Sequence, residues 1–334
     1  MNEEKKPDLP ETPAEQDIWQ SSAETNSNNP ANNFASPYAP RPLKKRRPWG
    51  FVEIILSAVA LLCVQVGMLI FMTAGITKDL VEQGADLDDL DSVTQQVTQE
   101  VMQGGNLVLI MLSMYVIWIG FMAYATYVKG LKSFAKDFWF RFKWLNDFGI
   151  GLGLAVLLRG IEIVVLNGLT AIGVDLTGAE NTTDIIGQEG IWYFVIAIMF
   201  ASIIGPICEE LFFRGFLLQA FLRNFRRGNI SGPKTVFGQT VINTAAPLFN
   251  AFVAFRNWTF RHKYVLAAVL SGIIFGSVHW NGEYTFQALV PIIETGIIGI
   301  IFAFIVIKTK RLGIVVFAHC FFNLSGVLLA TFMQ

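Results

Sequence analysis

The chain has 334 residues, of which 53% are hydrophobic and only 15% are charged, and its mean hydropathy is +0.49. Because soluble domains carry about 25% charged residues, this composition predicts a membrane protein. The net charge of −1 argues against a basic nucleic-acid-binding protein. The three cysteines, Cys63, Cys208 and Cys320, lie in apolar segments without metal-site spacing, so they predict neither a disulfide framework nor a zinc knuckle.

The first 48 residues differ from the rest of the chain. They are rich in Pro, Asn, Ser, Glu and Ala and contain no long aliphatic run, which predicts a disordered tail. We expect no signal peptide, because no apolar stretch with a small-residue cleavage site follows the start. Five basic residues between positions 41 and 47 directly precede the first apolar run and predict a cytoplasmic N-terminus.

Apolar runs long enough to cross a bilayer dominate the remaining sequence. A hydrocarbon core of about 30 Å requires about 20 apolar residues in a helix. Seven such runs are found near residues 51–75, 106–128, 148–172, 191–222, 264–281, 286–307 and 312–332. The sequence therefore predicts an all-α fold, a polytopic integral membrane helical bundle.

Lysine and arginine alternate between the two sides of this predicted bundle. The basic loops are 129–147, 223–263 and 308–311, whereas 76–105 and 173–190 are mostly acidic. This alternation predicts a multi-pass protein of the cell membrane with a cytoplasmic N-terminus and an external C-terminus.

Two segments leave the number of spans open. The run 191–222 is longer than one span and contains Gly205-Pro206, which predicts either a kink or an amphipathic cytoplasmic extension. Residues 235–255 are only moderately apolar and could form an interfacial or re-entrant helix. If that segment crosses the membrane, the bundle has eight helices rather than seven.

Ionisable residues inside the apolar runs are the candidate functional residues. Each costs about 2.5–3.5 kcal/mol on insertion, so its presence in hydrocarbon calls for a reason. Glu210 and Arg214 are four residues apart and share a helix face, which predicts an ion pair. Glu209 is then left as a free carboxylate, suited to act as a general base or a metal ligand. The alternative is a buried ionic cluster that only fixes helix packing.

Two histidines occur in other predicted spans. His279 follows Phe275 by four residues, and His319 precedes Asn323 by four, so each pair shares a helix face. Glu209, His279 and His319 offer nitrogen and oxygen donors suited to zinc. Equally, Glu209 could act as a base while the histidines and Asn323 donate hydrogen bonds to an oxyanion.

These motifs resemble those of a known family. Glu209-Glu210-x-x-x-Arg214, Phe275-x-x-x-His279 and His319-x-x-x-Asn323, in this order on successive apolar segments, are similar to the motif set of the CPBP family. That family comprises CAAX prenyl endopeptidases of the Ras-converting type and bacterial Abi or bacteriocin-processing relatives. The resemblance covers about residues 190–334.

The resemblance implies an intramembrane endopeptidase that hydrolyses peptide bonds of a membrane-embedded or lipidated protein or peptide. It implies Glu209 as the catalytic base, Glu210 and Arg214 as a supporting pair, and His279, His319 and Asn323 as water-positioning, metal-ligating or oxyanion-stabilising groups. The mechanism is either metal-free or assisted by Zn²⁺ bound to Glu209, His279 and His319. The expected partners are the substrate and the lipid bilayer, with no nucleic acid.

The domain boundaries follow from these assignments. We predict a disordered cytoplasmic tail at 1–48, N-terminal transmembrane helices at 49–189 and a CPBP-like catalytic core at 190–334 with an insertion at 228–263. The sequence lacks the His-Glu-x-x-His, Gly-x-Gly-Asp and Gly-x-Ser-Gly motifs of other intramembrane protease classes.

The remaining intramembrane charges have plainer interpretations. Arg159 and Glu162 are three residues apart and predict a mutual ion pair, whereas Glu294 has no partner nearby in the sequence. A different function for the same polar residues is a non-catalytic membrane protein: an immunity factor, a scaffold or a transporter. We find no internal repeat of the kind that would favour a transporter.

Overall fold

The computed structural model describes residues 49–84, 89–174, 190–225, 246–280 and 285–332, and every regular element in these ranges is a helix. The predicted tail 1–48 lies outside the described residues. So does the greater part of the predicted insertion 228–263, of which only the portion from residue 246 onwards is described.

Ten helices are present in the described part of the chain. They are α1 (Phe51–Glu82), α2 (Leu90–Val101), α3 (Gly104–Lys129), α4 (Phe134–Asp137), α5 (Trp144–Ala171), α6 (Gly190–Asn224), α7 (Ala246–Arg261), α8 (Lys263–Ser277), α9 (Phe286–Thr309) and α10 (Gly313–Phe332).

Six of these helices are long and apolar enough to cross a membrane: α1, α3, α5, α6, α9 and α10. The polytopic all-helical fold is therefore confirmed, but the predicted count of seven to eight spans is not. The fifth predicted run, 264–281, forms the shorter helix α8 of 15 residues. Such a helix is about 22 Å long, which is less than the hydrocarbon core of about 30 Å.

The protein core lies among the C-terminal helices. In their most apolar stretches, α6, α9 and α10 each have 39% of residues buried, compared with 6% in α1. The exposed side chains of α1 are nonetheless large and apolar, for example Leu62 and Phe71, which are 64% and 81% exposed. An exposed apolar surface of this kind is typical of helices that face lipid.

Helix α6 departs from regular α-helical geometry on both sides of its glutamates. It has π-helical turns at Phe194–Ile204 and Leu211–Leu217, which enclose the α-helical stretch Gly205–Glu210. Gly205-Pro206, where the sequence predicts a kink or the start of an amphipathic extension, lies within a continuous helix, and Pro206 occupies the first turn after a π segment. Such π turns occur frequently at functional sites.

Glycines allow α8 and α9 to approach each other closely. A Cβ atom on Gly276 would lie 2.4 Å from the carbonyl oxygen of Ile292, and one on Gly272 would lie 2.4 Å from Cγ1 of Ile300. Small residues at helix interfaces serve this purpose in membrane bundles. The close packing holds the end of α8 beside the core.

Ion pairs join the helix ends on one side of the bundle, which we call the basic face. Arg311, just before α10, lies 2.8 Å from Asp147 on α5, and Arg223 at the end of α6 lies 4.0 Å from Asp137. Lys129 at the end of α3 pairs with Glu53 at the start of α1. This face collects the ends for which the charge pattern predicts a cytoplasmic location.

Candidate active site

The centre of the candidate site is a buried ion pair on α6. Arg214 Nη1 lies 2.9 Å from Oε1 of Glu210, and both side chains are completely buried. The contact is short enough for an ion pair, but its angles are not those of a hydrogen bond. Among the described residues, Glu210 Oε2 and all three Arg214 nitrogens have no hydrogen-bond partner. Burial of a charge pair on this scale requires additional compensation.

Aromatic rings supply part of that compensation. The guanidinium carbon of Arg214 lies 4.0 Å from the centre of the Phe275 ring and 5.6 Å from that of Phe302. These cation–π contacts stabilise a desolvated cation. Gly299 leaves room for the guanidinium of Arg214, because a Cβ atom at position 299 would lie 3.2 Å from Nη2 of Arg214.

His319 on α10 connects the two glutamates. Its Nδ1 atom lies 2.9 Å from Oε1 of Glu210, and its Nε2 atom lies 3.8 Å from Oε2 of Glu209. The carboxylate of Glu210 can only accept a hydrogen bond, so Nδ1 carries the hydrogen and Nε2 of the neutral ring presents a lone pair toward Glu209. A gap of 3.8 Å is suited to a bridging water.

Exposure separates the two glutamates. The Glu209 side chain is 19% exposed, whereas that of Glu210 is 0% exposed. Glu209 can therefore reach water or a substrate, whereas Glu210 contacts only groups inside the protein. The ion pair that the four-residue spacing predicts is present between Glu210 and Arg214, and Glu209 lies outside that pair.

His279 follows the end of α8 and packs against the same cluster. Its ring centre lies 4.8 Å from that of Phe275, and Nδ1 lies 2.8 Å from the Phe275 carbonyl oxygen. A carbonyl only accepts, so Nε2 of the neutral ring is left as an acceptor. The same Phe275 ring lies 5.8 Å from the ring of His319, so one aromatic side chain contacts both histidines.

Asn323 lies one turn beyond His319 on α10. Its Nδ2 atom donates a hydrogen bond of 2.8 Å to the carbonyl oxygen of Ala201, in the first π segment of α6. The bond ties the histidine-bearing helix to the glutamate-bearing helix. An amide nitrogen has two hydrogens, so one N–H is left for a reacting oxygen.

The predicted zinc ligands do not form a ligand set. Within the described ranges, no three His, Cys, Asp or Glu side chains are arranged to hold a metal ion. Phe275 contacts both histidines, with its ring centre 4.8 Å from that of His279 and 5.8 Å from that of His319, and His319 Nε2 lies 3.8 Å from Glu209. A tetrahedral zinc site would need all three side chains to meet at one point.

A second polar cluster lies where α5, α9 and α10 meet. It consists of Arg159 and Glu162 on α5, Glu294 on α9 and Ser325 on α10. Arg159 pairs with Glu162 as predicted, and it also donates 3.1 Å and 2.6 Å hydrogen bonds to Ser325 Oγ and the Phe322 carbonyl oxygen. Glu294 on α9 lies within electrostatic range of both Glu162 and Arg159.

Sequence reasoning missed one residue of the site, Tyr115 on α3. Its side chain is 3% exposed and lies within electrostatic range of Glu209 and Cys208. Gly205 makes room for it, since a Cβ there would lie 2.7 Å from the Tyr115 hydroxyl oxygen. A tyrosine in the middle of an apolar span was the available signal, because its hydroxyl needs a partner when buried.

A comparison with protein families bears on this geometry. Residues 191–325 match the Rce1-like family of type II CAAX prenyl endopeptidases. The matched range contains all six candidate residues of the sequence analysis and confirms the CAAX endopeptidase resemblance. The Rce1-like match begins at the start of α6, so Tyr115 and Arg159 belong to helices outside it.

Two further comparisons gave no additional relatives. Neither the curated proteins nor the solved structures yielded a match to this chain. The Rce1-like match and the site geometry therefore carry the functional assignment together.

Proposed function

We propose that this protein is an intramembrane endopeptidase of the CAAX type, in which Glu209 activates water against a peptide bond of a membrane-associated substrate. The observation that carries the proposal is the arrangement of Glu209, Glu210 and His319: one partly exposed carboxylate, one buried carboxylate and an imidazole between them. The match of residues 191–325 to the Rce1-like family supports it.

The first step is the positioning of water. A water between Glu209 and His319 donates one hydrogen to the Glu209 carboxylate and the other to the Nε2 lone pair of His319. Its oxygen lone pair then points toward the substrate. Hydrogen-bonded to such a water, Glu209 would lie within reach of the proton that it removes, as general-base catalysis requires.

The chemical steps conserve protons. Glu209 removes a proton from the water as the oxygen attacks the carbonyl carbon, which gives a tetrahedral intermediate with an oxyanion. The free N–H of Asn323 can stabilise that oxyanion. As the C–N bond breaks, the protonated Glu209 returns its proton to the leaving amine nitrogen, and the carboxylate is regenerated.

The supporting residues hold this arrangement in place. Glu210 fixes the tautomer and orientation of His319, and Arg214 supplies the counter-charge to Glu210 inside the bundle. His279 presents an Nε2 acceptor beside the same cluster, which suits it to orient the water or the substrate amide.

The test uses the full-length protein reconstituted into vesicles. Cleavage is measured on a farnesylated peptide with a C-terminal CAAX sequence and on the same peptide without the lipid. Glu209→Gln should slow cleavage by at least about 10²-fold while the thermal unfolding midpoint stays near that of the parent protein. Unchanged cleavage by this variant would reject the proposed mechanism and favour a non-catalytic scaffold, immunity or transport role.

Which of the two peptides the protein cleaves defines the substrate class. Cleavage of only the farnesylated peptide would assign a prenylated substrate. Cleavage of both would assign a general membrane peptide. In either case, loss of activity in Glu209→Gln is the result that the proposal requires.

A further inference from the structure

Two lysines of the basic face approach the same aromatic ring. Lys310 ends α9, and its Nζ atom lies 4.4 Å from the ring centre of Trp139 and 5.8 Å from that of Tyr264. Lys263 begins α8, and its Nζ atom lies 5.0 Å from the centre of the Tyr264 ring. Two ammonium groups from different helices are thus gathered around one exposed tyrosine.

The backbone at this site is strained. Lys310 has φ 53° and ψ 35°, and Trp139 has φ 56°, both in the left-handed region. Residues other than glycine seldom adopt this conformation, and glycine is the usual residue directly after a helix end. Two such residues touch each other here through the cation–π contact. Strain that is retained at paired positions is a mark of a functional site.

Only some cations of the basic face are neutralised by a carboxylate. Lys129, Arg223 and Arg311 each pair with one. Among the described residues, no ion pair includes Lys263 or Lys310, which is also true of other lysines on this face such as Lys132. Lys263 and Lys310 stand out because their ammonium groups share the Tyr264 ring. Burial, together with the charge of Lys263, lowers the pKa of the Lys310 ammonium. A bound anion would relieve this repulsion.

We propose that Lys263 and Lys310 bind a phosphate group, that of an anionic phospholipid headgroup. Lysine ammonium groups bind phosphate as point charges, and tryptophan and tyrosine are typical of the level of the membrane at which headgroups lie. Val265, which is 50% exposed, begins an apolar surface of α8 directly beside the lysines. That surface offers contact to the acyl chains of a lipid, which a free phosphate ion would not use.

The experiment measures retention of phosphatidylglycerol by the detergent-purified full-length protein, using native mass spectrometry with phosphatidylcholine as the neutral comparison. The variants are Lys263→Gln, Lys310→Gln and Lys310→Gly. A matched control is Lys78→Gln, since Lys78 is an exposed lysine that pairs with Glu82 near the opposite end of α1. Each neutralised lysine of the site should weaken retention of phosphatidylglycerol about fivefold.

Lys310→Gly separates binding from structure. Glycine removes the charge and also relieves the left-handed strain, so this variant should lose lipid while its thermal unfolding midpoint rises or stays unchanged. A lysine whose role is only to hold Trp139 would give the opposite result, with a lower midpoint and unchanged lipid retention. Lys310→Arg should keep the lipid.

Competition with inorganic phosphate identifies the source of the phosphate group. Retention of phosphatidylglycerol that withstands excess inorganic phosphate supports the lipid headgroup. Displacement by inorganic phosphate would overturn the lipid assignment in favour of a free-phosphate site. Equal retention by the parent, Lys263→Gln and Lys310→Gly proteins would overturn the phosphate site altogether.

Discussion

Nδ1 of His319 lies 2.9 Å from Oε1 of Glu210, so a fully buried carboxylate determines which nitrogen of the imidazole carries the hydrogen. The other nitrogen, Nε2, then faces the exposed Glu209 as an acceptor. The two adjacent glutamates thereby take unequal roles: one orients the histidine and the other meets the solvent. This division explains why a membrane helix retains two costly carboxylates in succession.

The first prediction compares the two glutamates. Glu209→Gln should lower kcat/KM for peptide cleavage by about 10²- to 10⁴-fold, which is the usual contribution of a general base. Its unfolding midpoint should change little, because the side chain is partly exposed and carries no buried ion pair. The measurement combines cleavage kinetics with thermal unfolding in the same detergent.

A large loss of stability in Glu209→Gln would contradict this prediction. So would a Glu210→Gln variant that folds normally but is inactive. A suitable control is Glu82→Gln, since Glu82 is an exposed carboxylate paired with Lys78 far from the site in sequence.

The second prediction concerns the stability of the buried pair. Glu210→Gln leaves the Arg214 cation without its counter-charge inside the bundle and should destabilise the protein by about 3–5 kcal/mol. Glu210→Gln combined with Arg214→Met should recover much of that loss, because the unpaired charge is gone. Denaturant unfolding of the two single variants and the double variant gives the coupling free energy. Additive losses would show that the ion pair is not the cause.

Local spacing was sufficient to predict part of this site. The apolar run 286–307 became the helix Phe286–Thr309, and the four-residue spacing of Glu210 and Arg214 produced their ion pair. Both features depend on contacts within one helix, for which the period of 3.6 residues is known in advance.

Contacts between distant helices could not be predicted in the same way. Glu294 lies within electrostatic range of Glu162, and the hydroxyl that Arg159 binds belongs to Ser325. These groups meet only because α5, α9 and α10 pack together. The end of α8 at Ser277 was missed for another reason. The apolar run continues past Ser277, so hydropathy does not mark the point where the backbone leaves the helix before His279.

The third prediction tests Arg159 as a positioning residue for α10. Arg159 holds the Phe322 carbonyl and Ser325 with a planar guanidinium, while its carbon lies 3.9 Å above the Phe322 ring. Arg159→Lys keeps the charge but loses this geometry. Because Asn323 follows Phe322 directly, we expect kcat to fall while KM for the peptide stays near the parent value.

A second substitution tests the same contact from the other side. A Cβ on Gly326 would lie 2.9 Å from Nη2 of Arg159, so Gly326→Ala should displace the guanidinium and cost about 1–3 kcal/mol. Gly168→Ala is a matched control, because a Cβ there meets nothing within 4 Å. A loss of stability in Arg159→Lys with normal kcat would assign Arg159 a purely structural role.

The fourth prediction concerns Tyr115, which lies outside the family match. Tyr115→Phe removes only the hydroxyl, which lies beside Gly205 and within electrostatic range of Glu209. A transition-state contribution of about 1 kcal/mol from such a group corresponds to about fivefold in rate. We expect kcat to fall about fivefold, with folding preserved because the ring still packs against Phe200 at 6.3 Å. Tyr124→Phe, at an exposed position on the same helix, should leave kcat unchanged.

The fifth prediction concerns metal dependence. Because the described donors form no three-ligand group, Glu209 is expected to activate water without a bound ion. Activity should therefore survive dialysis against a strong chelator, and elemental analysis of the active protein should give well under one zinc per chain. Loss of activity on dialysis, with recovery on adding Zn²⁺ in the parent but not in His279→Ala, would instead assign Glu209, His279 and His319 as ligands that converge only in the metal-bound protein.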